Sequence, residues 1–272
     1  MAAPPEEHGS LARLLESVGR GVAQFVDAVG FGAHLFFESF YWFIMGRRVG
    51  QRVRSSPVFA QMMVIGVSAI PIVSILSVAI GITLSMQGIN SLEQFGAQHQ
   101  VIFMVALSVT REFGPLITGI LVAGRSGSAL AARISTMVIS QEIDALKVMG
   151  INPVRYMVVP SLVGMMIMLP ALTLWSIGIS LLGSAIYVAP QIGTTIGAYF
   201  SQVNASIDAD DLAHGLTKSL IFAVLITIVS VINGISVKGG AEGVGRVTTS
   251  AVVHGILAIV LTDMIFVFMT TS

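Results

Sequence analysis

The sequence predicts an all-α integral membrane protein. The 272-residue chain is 54% hydrophobic and 10% charged, with a mean hydropathy of +0.89, outside the range of soluble domains. Residues 55–92 and 156–207 contain no Asp, Glu, Lys or Arg, and about 20 apolar residues suffice for a helix to cross a bilayer. The basic residues also crowd the connections on one side of the expected spans, as the positive-inside rule requires.

In chain order, residues 11–29 come first. Leu11, Leu14, Leu15, Val18, Val22, Phe25, Val26 and Val29 fall on one helical face, opposite Arg13, Glu16, Arg20, Gln24 and Asp27. This pattern predicts a helix lying in the membrane interface; an amphipathic helix packed on a partner gives the same periodicity. Residues 31–45 carry Phe31, Phe36, Phe37, Phe40, Tyr41, Trp42 and Phe43, followed by Arg47, Arg48, Arg52 and Arg54. Aromatics concentrate at membrane–water boundaries, which predicts a re-entrant or tilted elbow. His34 and Glu38 lie four apart here and make a poor metal site without further ligands. Residues 1–54 therefore form an interfacial segment ahead of a membrane domain, 55–272.

Five spans are expected, at about 58–88, 98–130, 156–186, 214–237 and 247–269. Pro71 predicts a kink in the first. The third begins an uncharged stretch to Ile207 that is long enough for two crossings; Pro190-Gln191-Ile192-Gly193 reads as a break, which favours one. The run to Asp211, with Gln202, Asn204, Asp208 and Asp210, reads as an aqueous or interfacial loop. With the N-terminus inside, twelve of the fourteen Lys and Arg fall on the inner side or its edge. That predicts a cytoplasmic N-terminus and, after five spans, an outer C-terminus.

Between spans two and three lies a short polar helix, within about 134–150. Ser140 is its expected cap, Glu142 and Asp144 lie in its first turn, Lys147 in its last, and Gly150 provides a left-handed stop before Asn152-Pro153. Ile143, Leu146 and Met149 lie along one side. The element reads as a plain connector or as a docking surface for a soluble partner. Upstream, Gly119, Ala123, Gly127 and Ala131 recur every four residues. Small residues at that spacing let helices approach closely in lipid, either within one chain or between two copies.

Arg111 and Glu112 lie inside span two, where an unpaired charge costs about 2.5–3.5 kcal/mol or more. Neighbours on a helix diverge by about 100°, so the two should pair with other groups, as a structural ion pair or in a wet cavity. Asp263 in span five is the expected partner of Arg111, and Lys218 at the head of span four is a further candidate. His254 reads as a packed or interfacial histidine.

The absence of cysteine excludes disulfides and thiolate metal sites. Zero net charge and the lack of a basic aromatic stripe give no sign of nucleic-acid binding. The opening MAAPPEEHGS lacks the order of a signal peptide. No hydrolase or metalloprotease motif is present. Gly240–Val247 has the outline of a P-loop, but Arg246 and Val247 stand where Lys and Ser/Thr are needed. The chain is therefore read as a non-enzyme with no metal and no cofactor of its own.

The run RE-F-GP, then AGRSGSALAARI-TM, QEIDALKVMGINPVRY and VVP, with GGAEGVGRVTTSAVVHG at 239–255, resembles the MlaE permease family. The resemblance covers roughly Val58 to the C-terminus. It implies the membrane subunit of an ABC transporter of the bacterial inner membrane. Such transporters move phospholipid along a periplasmic MCE-protein path and maintain outer-membrane lipid asymmetry. It further implies a homodimer of permeases, with ATP bound and hydrolysed by a separate cytoplasmic ATPase subunit. A periplasmic MCE-domain protein and a small cytoplasmic STAS-domain subunit are the other partners. On this resemblance 134–150 is the coupling helix, with Glu142, Asp144, Leu146 and Met149 facing the ATPase. Leu84, Gln87, Leu92 and Phe95 would line the lipid cavity together with Arg111 and Glu112, although Ser91-Leu92-Glu93-Gln94 is more polar than in some family members. A self-contained secondary transporter or channel that uses its intramembrane charges is the alternative.

Overall fold

The computed structural model describes residues 8–45 and 55–271, and every element among them is helical. Arg47, Arg48, Arg52 and Arg54 lie outside the described residues, as do the side chains of most of the 11–25 amphipathic face. The two N-terminal stretches read separately in the sequence are one continuous helix, His8–Met45.

Five helices are long and apolar enough to cross a membrane: Ser55–Glu93, Gln98–Ile139, Val154–Gln191, Ala209–Ile235 and Gly240–Thr270. The third is the hub, with 61% of its most apolar window buried, against 28% for the first and 11% for the fifth. The outer spans thus present most of their apolar surface outward. Between Gly66 and Ala69 the first span tightens into a 3₁₀ turn, and Pro71 then sits in the first turn of the continuing helix. The break therefore lies upstream of Pro71, where a missing N–H is tolerated.

Spans one and three are joined by small and hydroxylated residues. Ser77 and Ser176 share a hydrogen bond of 2.8 Å, and Ser85 donates to Ser184 at 2.6 Å. Between these two bonds a Cβ on Gly81 would overlap the Ser180 carbonyl oxygen. Backbones approach this closely because lipid gives little hydrophobic gain, so contact and hydrogen bonding hold the pair.

Span three ends at Gln191, and Gly193 takes φ 67° as the chain turns. The expected polar loop that follows is largely helical: Ile196–Ser206 forms a helix capped by the Thr195 hydroxyl. Tyr199 fastens it to the bundle, fully buried and donating to Ser184 at 2.8 Å. Burial pushes the Tyr199 hydroxyl above the usual phenol range, against the opposing effect of the Ser184 bond.

The ends of spans two and four meet where the Ser135 hydroxyl donates to the Gly234 carbonyl at 3.1 Å. The short helix Glu142–Val148 and the start of span three lie at this same end, packed through Leu146, Met157 and Val158 against Ile134 and Val231.

Candidate functional site

Pro115 shapes the site. A proline inside a helix clashes with the carbonyl four residues earlier. The second span widens into a π turn at Val109–Phe113 immediately before Gly114 and Pro115, which relieves that clash. Arg111 and Glu112 both lie in this turn.

Both charges find partners, in different places. The Arg111 guanidinium reaches Asp211 Oδ1 at 2.5 Å through Nε and through its terminal nitrogen. Glu112 pairs with Lys218 Nζ, and the same Nζ lies 2.9 Å from Asp263 Oδ1. The Lys218–Asp263 contact lacks the orientation of a hydrogen bond, so it is an ion pair by distance. Lys218 is fully buried and ties span two to span five through one ammonium. Asp263 was expected to partner Arg111; Lys218 takes it instead. Lys218 enters from span four between the other two helices, whereas Arg111 is directed toward the head of span four.

Asp211, read in the sequence as part of a polar loop, belongs to the first turn of span four and is buried. Its Oδ2 accepts from the Asp208 N–H at 2.9 Å, while its Oδ1 receives Arg111. One carboxylate thus helps start the span and neutralises a charge in its neighbour. His214, one turn further on, packs its ring 4.8 Å from that of Phe266 in span five. Neither of its ring nitrogens reaches a hydrogen-bond partner among the described residues. Asp211, His214, Lys218 and Asp263 with Arg111 and Glu112 form one polar island in the half of the bundle away from the short helix.

Close packing fixes the island. A Cβ on Gly215 would overlap the Thr110 carbonyl oxygen, and one on Gly119 would come 3.0 Å from the Phe222 ring. Further along, a Cβ on Gly127 would meet Ile226 and the Ser230 hydroxyl at 3.0 Å. The four-residue ladder is therefore at least an internal contact between spans two and four.

The second candidate element is the short helix Glu142–Val148. Its N-cap position is Gln141, in the left-handed region at φ 58°, and not Ser140. The helix of span two runs on to Ile139, so the Ser140 hydroxyl bonds back to Thr136 O and across to Glu142. Gly150 does take the left-handed stop, at φ 73°. Asp144 pairs with Lys147 at 3.0 Å on the surface. The apolar side splits: Leu146 is buried, while Met149 and Val148 are 63% and 89% exposed. Glu142, Asp144 and Met149 thus face outward, and Leu146 anchors the element to the bundle.

Of the four cavity residues named from the sequence, Leu84 and Leu92 pack half-buried against the cluster around Val101 and Tyr199. Gln87 and Phe95 are exposed, Phe95 at 80%, near the far end of span one. His254 bonds Asn233 Oδ1 through Nδ1 at 3.0 Å.

Comparison with known proteins bears on this arrangement. The family described as Permease MlaE matches residues 58–269. The chain belongs to the MlaE permease family. Its relatives include the intermembrane phospholipid transport system permease protein MlaE of Haemophilus influenzae, 30% identical over 94% of this chain and 96% of that one. A probable ABC transporter permease protein of Rickettsia typhi is 30% identical, with 93% and 96% covered. The chloroplastic protein trigalactosyldiacylglycerol 1 of Arabidopsis thaliana is 32% identical over 70% of this chain and 54% of its own. With five apolar helices and these relatives, this MlaE-family chain is a multi-pass membrane protein.

Two features of this permease escaped the sequence reading. Asp211 reads as loop in the sequence, and His214 passes unnoticed, because the aspartates at 208, 210 and 211 look like a polar connection; Asp208 three residues ahead of Asp211 is the capping signal that marks the start of span four. The four-residue spacing of Ser77, Gly81 and Ser85, matched by Ser176, Ser180 and Ser184, is the signal that would have paired spans one and three.

Proposed function

We propose that the chain is the permease subunit of an ABC transporter that moves phospholipid, driven by ATP hydrolysed on a separate cytoplasmic polypeptide. The observation that carries this reading, alongside family membership, is the helix Glu142–Val148. It is held to the bundle by Leu146 and turns Glu142, Asp144, Val148 and Met149 outward. A helix anchored by one buried leucine, with an exposed, mixed polar and apolar face, is suited to receive a soluble partner. No nucleotide-binding motif occurs in this sequence, so the nucleotide belongs to that partner.

The basic residues Arg125, Arg133, Lys147, Arg155, Lys238 and Arg246 all lie toward the end of the bundle that carries this helix. By the positive-inside rule this distribution supports a reading in which that end is cytoplasmic, the N-terminus inside and the C-terminus in the periplasm of an inner membrane. The outward apolar surfaces of spans one and five suit a second copy of the chain, with the lipid path near Leu84, Gln87, Leu92 and Phe95 at the periplasmic end. An MCE-domain protein would receive or deliver the lipid there, and the pathway would serve outer-membrane lipid asymmetry.

The test is gentle purification of the tagged chain from its native membrane, with mass spectrometry of every co-purifying protein and lipid. A P-loop ATPase and phospholipid are expected. A lone chain, even after crosslinking, would overturn the reading. A self-contained secondary transporter is favoured by one observation, the buried Arg111–Asp211 and Glu112–Lys218–Asp263 island. Transport driven by an ion gradient without ATPase would establish it.

A further inference from the structure

Leu35, Glu38, Ser39 and Trp42 recur at three- and four-residue spacing, so they form one stripe of the N-terminal helix. The three larger residues all face the region where the short helix leads into span three. Leu35 is buried in one cluster with Leu146 of the short helix. A Glu38 carboxylate oxygen accepts from Asn152 Nδ2 at 2.9 Å. The Trp42 ring lies under the Arg155 guanidinium at 5.8 Å. Asn152 lies between the short helix and span three, and Arg155 in the first turn of that span.

Asn152 is held from both sides. Its Oδ1 accepts from the Val154 and Arg155 N–H groups at 2.8 and 3.2 Å, which caps the start of span three. Its Nδ2 is the end that reaches Glu38. The side chain is therefore a bridge between the first turn of a span and the N-terminal helix. The other Glu38 oxygen faces His34 Nε2 at 3.8 Å.

Beside this bridge the packing is open. A cavity of about 400 Å³ separates the N-terminal helix from the short helix, with Leu35, Glu38, Ile143, Lys147 and Asn152 among its walls. Protein interiors are otherwise close-packed, so that motion in one element is transmitted to the next. Across a cavity of this size no packed layer does that, and the relative position of the two helices rests on the contacts at its rim.

We infer that Glu38 is a positioning residue for energy coupling: through Asn152 it holds the N-terminal helix, the short helix and the start of span three as one body. This rests on the proposed role of Glu142–Val148 as the ATPase-docking element. With the bridge intact, displacement of the short helix by the ATPase is delivered to span three. Without it, the short helix yields into the cavity and ATP is hydrolysed without lipid movement.

The test uses the full complex with its ATPase. It is reconstituted in vesicles of phosphatidylethanolamine and phosphatidylglycerol carrying a fluorescent phospholipid, and the readout is lipid moved per ATP hydrolysed. Asn152→Asp keeps the capping oxygen but sets a carboxylate against Glu38. ATPase activity should persist while lipid moved per ATP falls several-fold. Glu38→Gln in the same chain restores the bond with donor and acceptor exchanged, and the double variant should recover coupling close to that of the unaltered complex. Should Asn152→Asp fail to assemble, Glu38→Ala removes the bridge without adding a charge and carries the same expectation. Normal coupling in Asn152→Asp or Glu38→Ala, or no recovery in an assembled double variant, overturns the inference. An unaltered complex that hydrolyses ATP without moving lipid overturns the functional reading itself, and the inference with it.

Discussion

Lys218 Nζ lies 2.9 Å from Asp263 Oδ1 and also pairs with Glu112, so one buried ammonium serves two carboxylates on two different spans. Removing one partner of a buried pair strands the other's charge, at about 3–5 kcal/mol. Lys218→Met strands two acids and should be the most damaging change in the island. Asp263→Asn leaves Glu112 to neutralise Lys218 and should cost clearly less. Thermal unfolding of the purified variants in detergent checks the order; equal losses would mean that the two acids do not share the lysine.

Gly81 faces the Ser180 backbone with no room for a side chain. Gly81→Ala should force spans one and three apart and destabilise the chain by about 1–3 kcal/mol, as overpacking does. Gly178, whose Cβ position is open, is the control: Gly178→Ala should be tolerated. Thermal midpoints of the two variants read the difference.

Tyr199→Phe removes a hydroxyl that donates to Ser184, but Ser184 keeps its bond from Ser85. No buried acceptor is left wholly without a donor, so the loss should be modest, about 0.5–1.5 kcal/mol. Faster proteolysis near 196–206 is the expected sign of a loosened helix.

Leu146 and Val148 belong to the same short helix and should behave oppositely. Leu146→Ala empties a buried site and should cost about 2–5 kcal/mol of stability. Val148→Ser, together with Asp144→Ala, touches only the exposed face. That double variant should keep its thermal midpoint and lose ATPase binding, as read by co-purification. Unchanged binding would remove the docking role.

Gln141 holds φ 58° without the freedom of a glycine. Left-handed backbone strains an ordinary residue by roughly 1–2 kcal/mol. Gln141→Gly should therefore raise stability by on the order of 1 kcal/mol, measured as an upward shift of the thermal midpoint. A downward shift would show that the side chain does more than mark the turn.

Much of this molecule is legible in the sequence because lipid imposes a one-dimensional constraint. A crossing helix needs a long uncharged run, and the uncharged runs here place five spans. Gly150 ahead of Asn152-Pro153 marks the stop of the short helix because those residue types act locally. Arg111 and Glu112 announce that they need partners, since charge in an apolar run is costly wherever the helix lies.

Which partner each charge takes was decided only in three dimensions. The π turn before Pro115 rotates Arg111 and Glu112 relative to a regular helix, and helical spacing alone does not foresee that rotation. Asp263 meets Lys218 and not Arg111 because the packing of Gly215 on the Thr110 backbone sets how spans two and four cross. Leu146 turns inward and Met149 outward because the left-handed Gln141 sets the direction in which the short helix leaves span two. The sequence alone determined which residues must cross the membrane and which must be neutralised. The tertiary structure decided how the crossings face one another, because side-chain direction depends on helix rotation and close backbone contacts between residues far apart in the chain.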